Sequence, residues 1–246
     1  MEKISRKSFV KGALGLGLTG VLAGCASSAS STAASASSTA APAEKKQFTF
    51  ADTVRWDAQY DVVVMGMGAA GMVAAKTAAD NGAKVVIVEK CEEGKAGGNT
   101  KVCGQLFAYA NGDKDAAKSY YTALAGGRDI EPEIIDAISE GVANMADILA
   151  DEFGFNKDEY MDWTGVNVGG TNMGAMSPEY PEMPGHEKMA LWTTHAGASD
   201  GYLYQGLKQN VTDRVDAIDV WYSSPAKSLI QDPVTKTVVG VTVERD

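Results

Sequence analysis

The sequence predicts an α/β fold of the Rossmann type, built on a parallel β-sheet, and three observations within residues 60–100 lead to this prediction. Residues 62–65 form a continuous apolar run, as expected of a short strand that is buried on both faces. Glycines with the spacing GxGxxG follow at once, and small residues then recur three and four positions apart, which is typical of a helix packed closely on a sheet. Residues 84–88 form a second apolar strand, which ends at Glu89.

The glycine turn made by Gly66, Gly68 and Gly71 predicts a dinucleotide-binding site. In such a turn the first glycine makes the bend, the second lets the backbone approach a pyrophosphate, and the third lets the helix sit close to the sheet. The first amides of the helix then face the phosphates. Glu89 lies about 20 residues further on, where a carboxylate can accept both hydroxyls of an adenosine ribose.

A second glycine-rich loop follows the second strand, with Gly97 and Gly98 directly before Asn99 and Thr100. A simple NAD domain would enter its next helix here, so the extra loop indicates a longer ligand. At this point the chain resembles the flavoprotein family of soluble fumarate reductases, urocanate reductases and 3-ketosteroid dehydrogenases, which share an FAD-binding domain. The resemblance rests on WDAQYDVVVMGMGAAGMVAA from residue 56, VVIVEK from residue 85 and GGNTKVCG from residue 97.

The resemblance implies that the cofactor is FAD. The first loop would hold its pyrophosphate, the acid its ribose, and the GGN(S/T) loop would approach the isoalloxazine side. The turn before the last two strands would meet the adenine. The cofactor contacts implied in this way are Gly66, Gly68, Ala69, Ala70, Gly71, Glu89, Lys90, Gly97, Gly98, Asn99, Thr100, Gly104 and Ala226.

The resemblance also implies an FAD-binding domain that is truncated before its substrate-capping domain. In the family, the arginine and histidine residues that orient the substrate lie on later segments, so we expect no catalytic residue within these 246 residues. We also expect the parallel sheet to keep an exposed edge. A complete protein of this kind passes a hydride between the flavin and an activated carbon–carbon bond. The alternative is a non-catalytic or split flavoprotein that a second polypeptide completes.

The first 47 residues are predicted to lie outside the folded domain. Residues 1–25 have a basic start, a short apolar stretch and a final Leu-Ala-Gly-Cys, which together indicate an export signal with a lipobox. The segment SRKSFVK resembles a twin-arginine signal with Lys7 in place of the second arginine. Acylation of Cys25 would anchor the protein to the outer face of a bacterial membrane. Residues 26–47, rich in Ser and Ala, would be a flexible tether, and residues 48–246 the FAD-binding domain.

Periodicity and turn residues predict the remaining elements. We expect helices over residues 115–125, 132–153 and 201–209, a further parallel strand over 218–222, and a hairpin of 227–230 with 238–243 that turns at Asp232-Pro233. Residues 156–199 show no sustained period but are rich in Gly, Pro and aromatic residues. A loop of this length inside a compact domain is usually a functional cover or disordered, and the aromatics favour the cover.

Several features of the sequence bear on other classes of function. The net charge of −10 disfavours a nucleic-acid partner. Residues 197–201 fit the GxSxG pattern of α/β serine hydrolases, but His186 and His195 both precede Ser199, whereas that fold places the histidine after it. An NAD-binding dehydrogenase is the other alternative. His186-Glu187 begins like HExxH, yet Ala190 stands at the second ligand position, so no zinc site is predicted.

The two cysteines other than Cys25 are Cys91 and Cys103, which flank the second glycine loop. They could pair outside the cell or remain buried thiols, and the sequence leaves both alternatives open.

Overall fold

A computed structural model of the protein describes residues 48–164, 167–168, 171–172, 180–197 and 200–245. The predicted export signal with Cys25, the tether at 26–47 and the serine of the GxSxG pattern, Ser199, lie outside the described residues. Within the described ranges, no helix is long and apolar enough to cross a membrane.

A parallel three-stranded sheet forms the centre of the fold. Strand β1 (Val62–Met65) is followed by helix α1 (Ala69–Asp80) and strand β2 (Val85–Val88). Strand β8 (Ile218–Trp221) pairs with the other edge of β2, which gives the order β1-β2-β8. All four residues of β2 are buried because the strand lies in the middle of the sheet. The predicted strands and their parallel pairing are therefore confirmed.

Helix α1 covers one face of this sheet together with helix α6 (Tyr202–Thr212). α1 ends as predicted at Asn81-Gly82, where Gly82 has a φ of +85°. Ion pairs at Asp80 connect the end of α1 to the residues just after α6. Asp80 accepts hydrogen bonds from Arg214 Nε at 2.6 Å and, within α1, from Lys76 Nζ at 2.8 Å. These partners, Arg214 first, hold the pKa of the Asp80 carboxyl below its usual range.

The opposite face of the sheet lies across a groove of about 880 Å³ from an antiparallel hairpin. Its strands are β9 (Ala226–Gln231) and β10 (Val238–Val243), and the predicted turn is confirmed because Asp232 Oδ1 accepts the amides of Val234 and Thr235. Among the described residues, β1 pairs with β2 alone. Met65 on β1 is 61% exposed, so this face of the strand is open.

The chain between the second and third parallel strands builds a second layer. Short helix α2 (Gly98–Val102) leads to strand β3 (Phe107–Tyr109), which pairs with β7 (Ala190–Thr193), and β7 pairs in turn with β4 (Met161–Asp162). A separate hairpin joins β5 (Asn167–Val168) and β6 (Thr171–Asn172). The prediction of 156–199 as a long loop missed these strands, since two to four residues are too few to show a period.

Helices α3 (Lys114–Leu124), α4 (Pro132–Ala143) and α5 (Met145–Phe153) complete this layer. The single helix predicted over residues 132–153 is wrong, because the chain breaks at Asn144. Its side-chain amide donates to Glu140 O at 3.0 Å, and its backbone, at φ −108° and ψ 10°, leaves the helical region. Asparagine side chains compete in this way with the helix backbone.

Candidate functional site

The turn after β1 requires glycine at its first and third glycine positions for reasons internal to the protein. Gly66 has a φ of +95°, and its amide donates to Val88 O at 2.9 Å, which fixes the turn to β2. A Cβ added to Gly71 would overlap Gly66 O and lie 3.2 Å from the Gly66 carbonyl carbon. The structure therefore gives these two glycines the turn and close-packing roles that the motif predicts.

Gly68 is different, because none of the residues that the structure describes requires glycine there. Its φ of −76° and ψ of 179° suit any residue. A Cβ at this position would lie 3.8 Å from Thr100 Oγ1 and 4.0 Å from Gly97 O, which are ordinary contacts. A side chain would instead occupy the space in front of the first turn of α1, where amides and the helix dipole favour a phosphate. This open space fits the pyrophosphate of a dinucleotide.

Glu89 ties the glycine turn to the end of β2. Its carboxylate is nearly buried, with 5% of the residue exposed. Oε2 accepts the Met67 amide and Oε1 accepts the Cys91 amide, each at 2.8 Å. Each carboxylate oxygen has two lone pairs, so both retain the capacity to accept a ribose hydroxyl. The sequence identified Glu89 as a ligand residue but not as the support of the turn.

The turn before the hairpin lies beside Glu89. The Ser224 amide donates to Glu89 O at 2.8 Å, and the Ser223 amide donates to Cys91 O at 2.9 Å. These bonds bring the start of β9, at Ala226, to the same end of β2 as Glu89. Lys90, the residue after Glu89, is exposed. The structure thus brings together the residues that the resemblance assigned to the adenosine part of the cofactor.

The second glycine segment meets the first at Thr100. Its hydroxyl accepts the Ala69 amide at 3.0 Å, at the start of α1. Gly97 is buried with a φ of +119°, and a Cβ there would lie 2.9 Å from Cζ of the Tyr204 ring. The expected loop is only partly right, because Gly98, Asn99 and Thr100 form the first turn of α2. The remaining predicted contacts, Ala70, Gly71 and Gly104, lie on α1 and directly after α2.

One residue of this region escaped the sequence reasoning. Gln105 is 1% exposed and hydrogen-bonds both α2 and α6. No motif marks it. A polar residue directly before the apolar run 106–110 was the available signal, and it is a weak one.

His195 and Asp200 form the remaining polar pair near the start of α6. Their Nε2 and Oδ2 atoms lie 2.7 Å apart, and the imidazole stacks on Tyr202 with ring centroids 4.1 Å apart. The hydrogen bond from the Tyr202 amide, with a contribution from His195, holds the pKa of Asp200 below its usual range. His186 lies apart from this pair, with Nδ1 2.9 Å from Met183 O. Cys91 and Cys103 are free thiols.

The parallel sheet, the glycine turn and the buried acid define a dinucleotide-binding α/β domain. The FAD binding domain family has a sequence model that matches residues 61–246. The chain belongs to this family, and its cofactor is FAD.

Known relatives extend the comparison. The chain is 41% identical to the digoxin reductase of Eggerthella lenta over 105 residues, which are 41% of this chain and 18% of that protein. It is 29% identical to the NADH:fumarate oxidoreductase of Klebsiella pneumoniae over 181 residues, 70% of this chain and 17% of that protein. The chain thus spans less than a fifth of each relative, and it corresponds to the FAD-binding domain of flavoenzymes of the fumarate reductase and dehydrogenase type.

Solved structures show the same fold. The 3-ketosteroid Δ1-dehydrogenase of Sterolibacterium denitrificans superimposes with a TM-score of 0.60 at 18% identity, covering 76% of this chain and 44% of that one. The predicted α/β class is therefore confirmed, and the match to the FAD binding domain family confirms the resemblance.

Proposed function

We propose that this chain is the FAD-binding portion of an exported, lipid-anchored oxidoreductase that acts on an activated carbon–carbon bond. Bound FAD supplies the hydride-transfer chemistry, while the protein binds and orients it. Relatives named as digoxin reductase and NADH:fumarate oxidoreductase support a reductive reaction. Since both are several times longer than the matched region, we assign the substrate-binding groups to segments beyond this chain, on the same polypeptide or on a second one.

The observation that carries the cofactor part of the proposal is the space at Gly68. Gly66 and Gly71 are required by the turn itself, but Gly68 is required only if a ligand approaches the backbone. The start of α1 then binds the pyrophosphate, and Glu89 accepts the ribose hydroxyls through its remaining lone pairs. Gly98 and Asn99 are exposed beside this start and would lie along the flavin side.

The first test is the visible absorption spectrum of the purified protein, with the released nucleotide identified after denaturation. We expect flavin bands and FAD in the extract. NAD in the extract, or a protein that stays colourless when FAD is added, would overturn the proposal.

A matched pair of variants then tests the site. Gly68→Ala fits the protein but places a methyl group in the space in front of the first turn of α1. We therefore expect FAD to bind at least about tenfold more weakly, equivalent to ~1.4 kcal/mol. Gly141→Ala is the control, because the added Cβ has no described atom within 4 Å, just as the one at Gly68 makes only ordinary contacts, and it lies in α4, outside the candidate site. Both changes reduce the entropy of the unfolded chain and should leave the folded protein equally stable or up to about 1 kcal/mol more stable. Equal FAD affinity in both variants would contradict the assignment.

The cellular location of the protein is tested separately. We propose that cleavage before Cys25 and acylation of its thiol attach the protein to the outer face of the membrane, where residues 26–47 act as a tether. Cys25→Ser should abolish incorporation of a labelled fatty acid and release the protein from the membrane fraction. Unchanged labelling in that variant would refute the anchor.

A further inference from the structure

Gln105 combines two features that are costly on their own. It is a long polar side chain that is 1% exposed, and its backbone has a φ of +63°, a region that residues other than glycine rarely adopt. Glycine would adopt this backbone without strain. A buried glutamine at such a backbone position indicates that its side-chain amide has a specific role.

Both ends of that amide are used, and they join two different helices. Nε2 donates to Thr100 O at 2.6 Å and to Cys103 O at 3.2 Å, at the C-terminal end of α2. Oε1 accepts the Tyr204 amide in the first turn of α6 at 3.0 Å. Gln105 thus gives hydrogen-bond partners to two carbonyls at the end of α2 and to an amide in the first turn of α6. Backbone groups at helix ends have no partner within their own helix ladder.

Helix α2 depends on such external contacts. It has five residues, and isolated helices of this length are unstable in water. Its start is held by Tyr204, whose hydroxyl donates to Ala96 O at 3.1 Å and whose ring packs on Gly97. Its end is held by Gln105. Thr100 lies between these two supports, and its hydroxyl accepts the Ala69 amide at the start of α1.

We propose that Gln105 is a positioning residue for the cofactor site: it sets the orientation of α2, and through it the placement of residues 98–100 beside the pyrophosphate turn. The inference rests on the proposed role of this segment in holding FAD. Gln105 itself is buried behind α2 and acts through Thr100 and Cys103 rather than on the cofactor.

Gln105→Glu separates the two arms of the amide. At a pH at which the new carboxyl is ionised, it keeps an acceptor for the Tyr204 amide but has no proton to donate to Thr100 O and Cys103 O, so it breaks the α2 arm alone. In the protein without FAD, we expect amide hydrogen exchange in residues 98–104 to accelerate about tenfold while exchange in α6 and β2 stays unchanged. Unchanged exchange in 98–104 would overturn the proposal. An equal acceleration in all three regions would also overturn it, because Gln105 would then contribute only to global stability.

Gln105→Gly tests the same inference without adding a charge. Glycine relieves the positive φ, which offsets part of the lost hydrogen bonding, so we expect the thermal midpoint to fall less than the loss of those bonds alone would cause. FAD affinity should nevertheless fall about tenfold, with a change in the visible circular dichroism of any flavin that still binds. Unchanged affinity in this variant would overturn the proposal.

Gln209→Glu is the control, because Gln209 is exposed on α6 and undergoes the same chemical change. It should alter neither exchange in residues 98–104 nor FAD affinity. The exchange experiment needs no cofactor. Failure of the parent protein to bind FAD would therefore refute the proposed function, while the role of Gln105 in orienting α2 is decided independently by exchange.

Discussion

The replacement Gly71→Ala tests the close packing between helix α1 and the glycine turn. The added methyl group would overlap Gly66 O and lie 3.3 Å from Val64 Cγ1. The carbonyl cannot easily move away, because the Gly66 amide is bonded to Val88 O and its φ is +95°. The helix cannot easily move either, since Met72 on its inner face is 1% exposed in a filled core.

The expected change in the free energy of unfolding is the balance of two opposing effects. Inserting a methyl group into a packed interior costs typically about 1–3 kcal/mol and occasionally more, and rigid backbone on the opposing side places this case at the upper end. Alanine regains up to about 1 kcal/mol because it is a better helix former than glycine. We expect a net loss of roughly 2–3 kcal/mol, which for a domain of this size lowers Tm by about 4–12 °C.

Urea unfolding followed by far-ultraviolet circular dichroism measures this loss, with Gly68→Ala as the neighbouring control. The control should be as stable as the parent protein or slightly more stable. A Gly71→Ala variant within about 0.5 kcal/mol of the parent would refute the reasoning, because the helix would then not be held against the turn as the structure shows.

Three further predictions concern other supports of the fold. Glu89→Gln places a side-chain donor against one of two backbone amides, so urea unfolding should show a loss of about 1–3 kcal/mol; no measurable loss would contradict the support role. Asp80 has a lowered pKa beside Arg214, so its contribution is complete well above its unfolded pKa of about 3.9 and is lost as the pH falls through the folded pKa. Since Asp80 is partly exposed, Asp80→Asn should cost at most about 1 kcal/mol at pH 7, and in acid titrations of stability the difference from the parent should shrink as the pH falls from about 4 through the folded pKa. Gly240→Ala would place a Cβ 2.6 Å from Trp56 Cη2, so we expect a shifted tryptophan emission maximum and reject the hairpin contact if the spectrum is unchanged.

The parts of the fold that the sequence predicted are those specified by neighbouring residues. Val62–Met65 and Val85–Val88 are continuous apolar runs, and Gly66 and Gly82 are at the positions where the backbone turns with positive φ. The hairpin turn likewise needs only Asp232 and the two amides after it. Local composition is enough in each case, because the residues that determine the element, an apolar run, a glycine or a turn aspartate, lie within the element itself.

The parts that escaped prediction depend on distant or competing partners. Gln105 accepts a hydrogen bond from Tyr204, 99 residues further along the chain, so nothing near it in the sequence reveals its role. Asn144 lies within a good helical period, and only its side-chain bond to Glu140 breaks the helix. The spacing predicts Glu89 as a ribose ligand, but its two amide partners could not be inferred without the structure.

Those two amide partners of Glu89 have a kinetic consequence. Because the hydrogen bonds from the Met67 and Cys91 amides to Glu89 are made within the protein, they hold the glycine turn without a contact from any ligand. An assembled turn does not have to be ordered during binding, which reduces the entropic cost of association. FAD should therefore associate in a single phase whose rate rises linearly with FAD concentration, whereas a turn that had to fold around its ligand would show a rate that levels off.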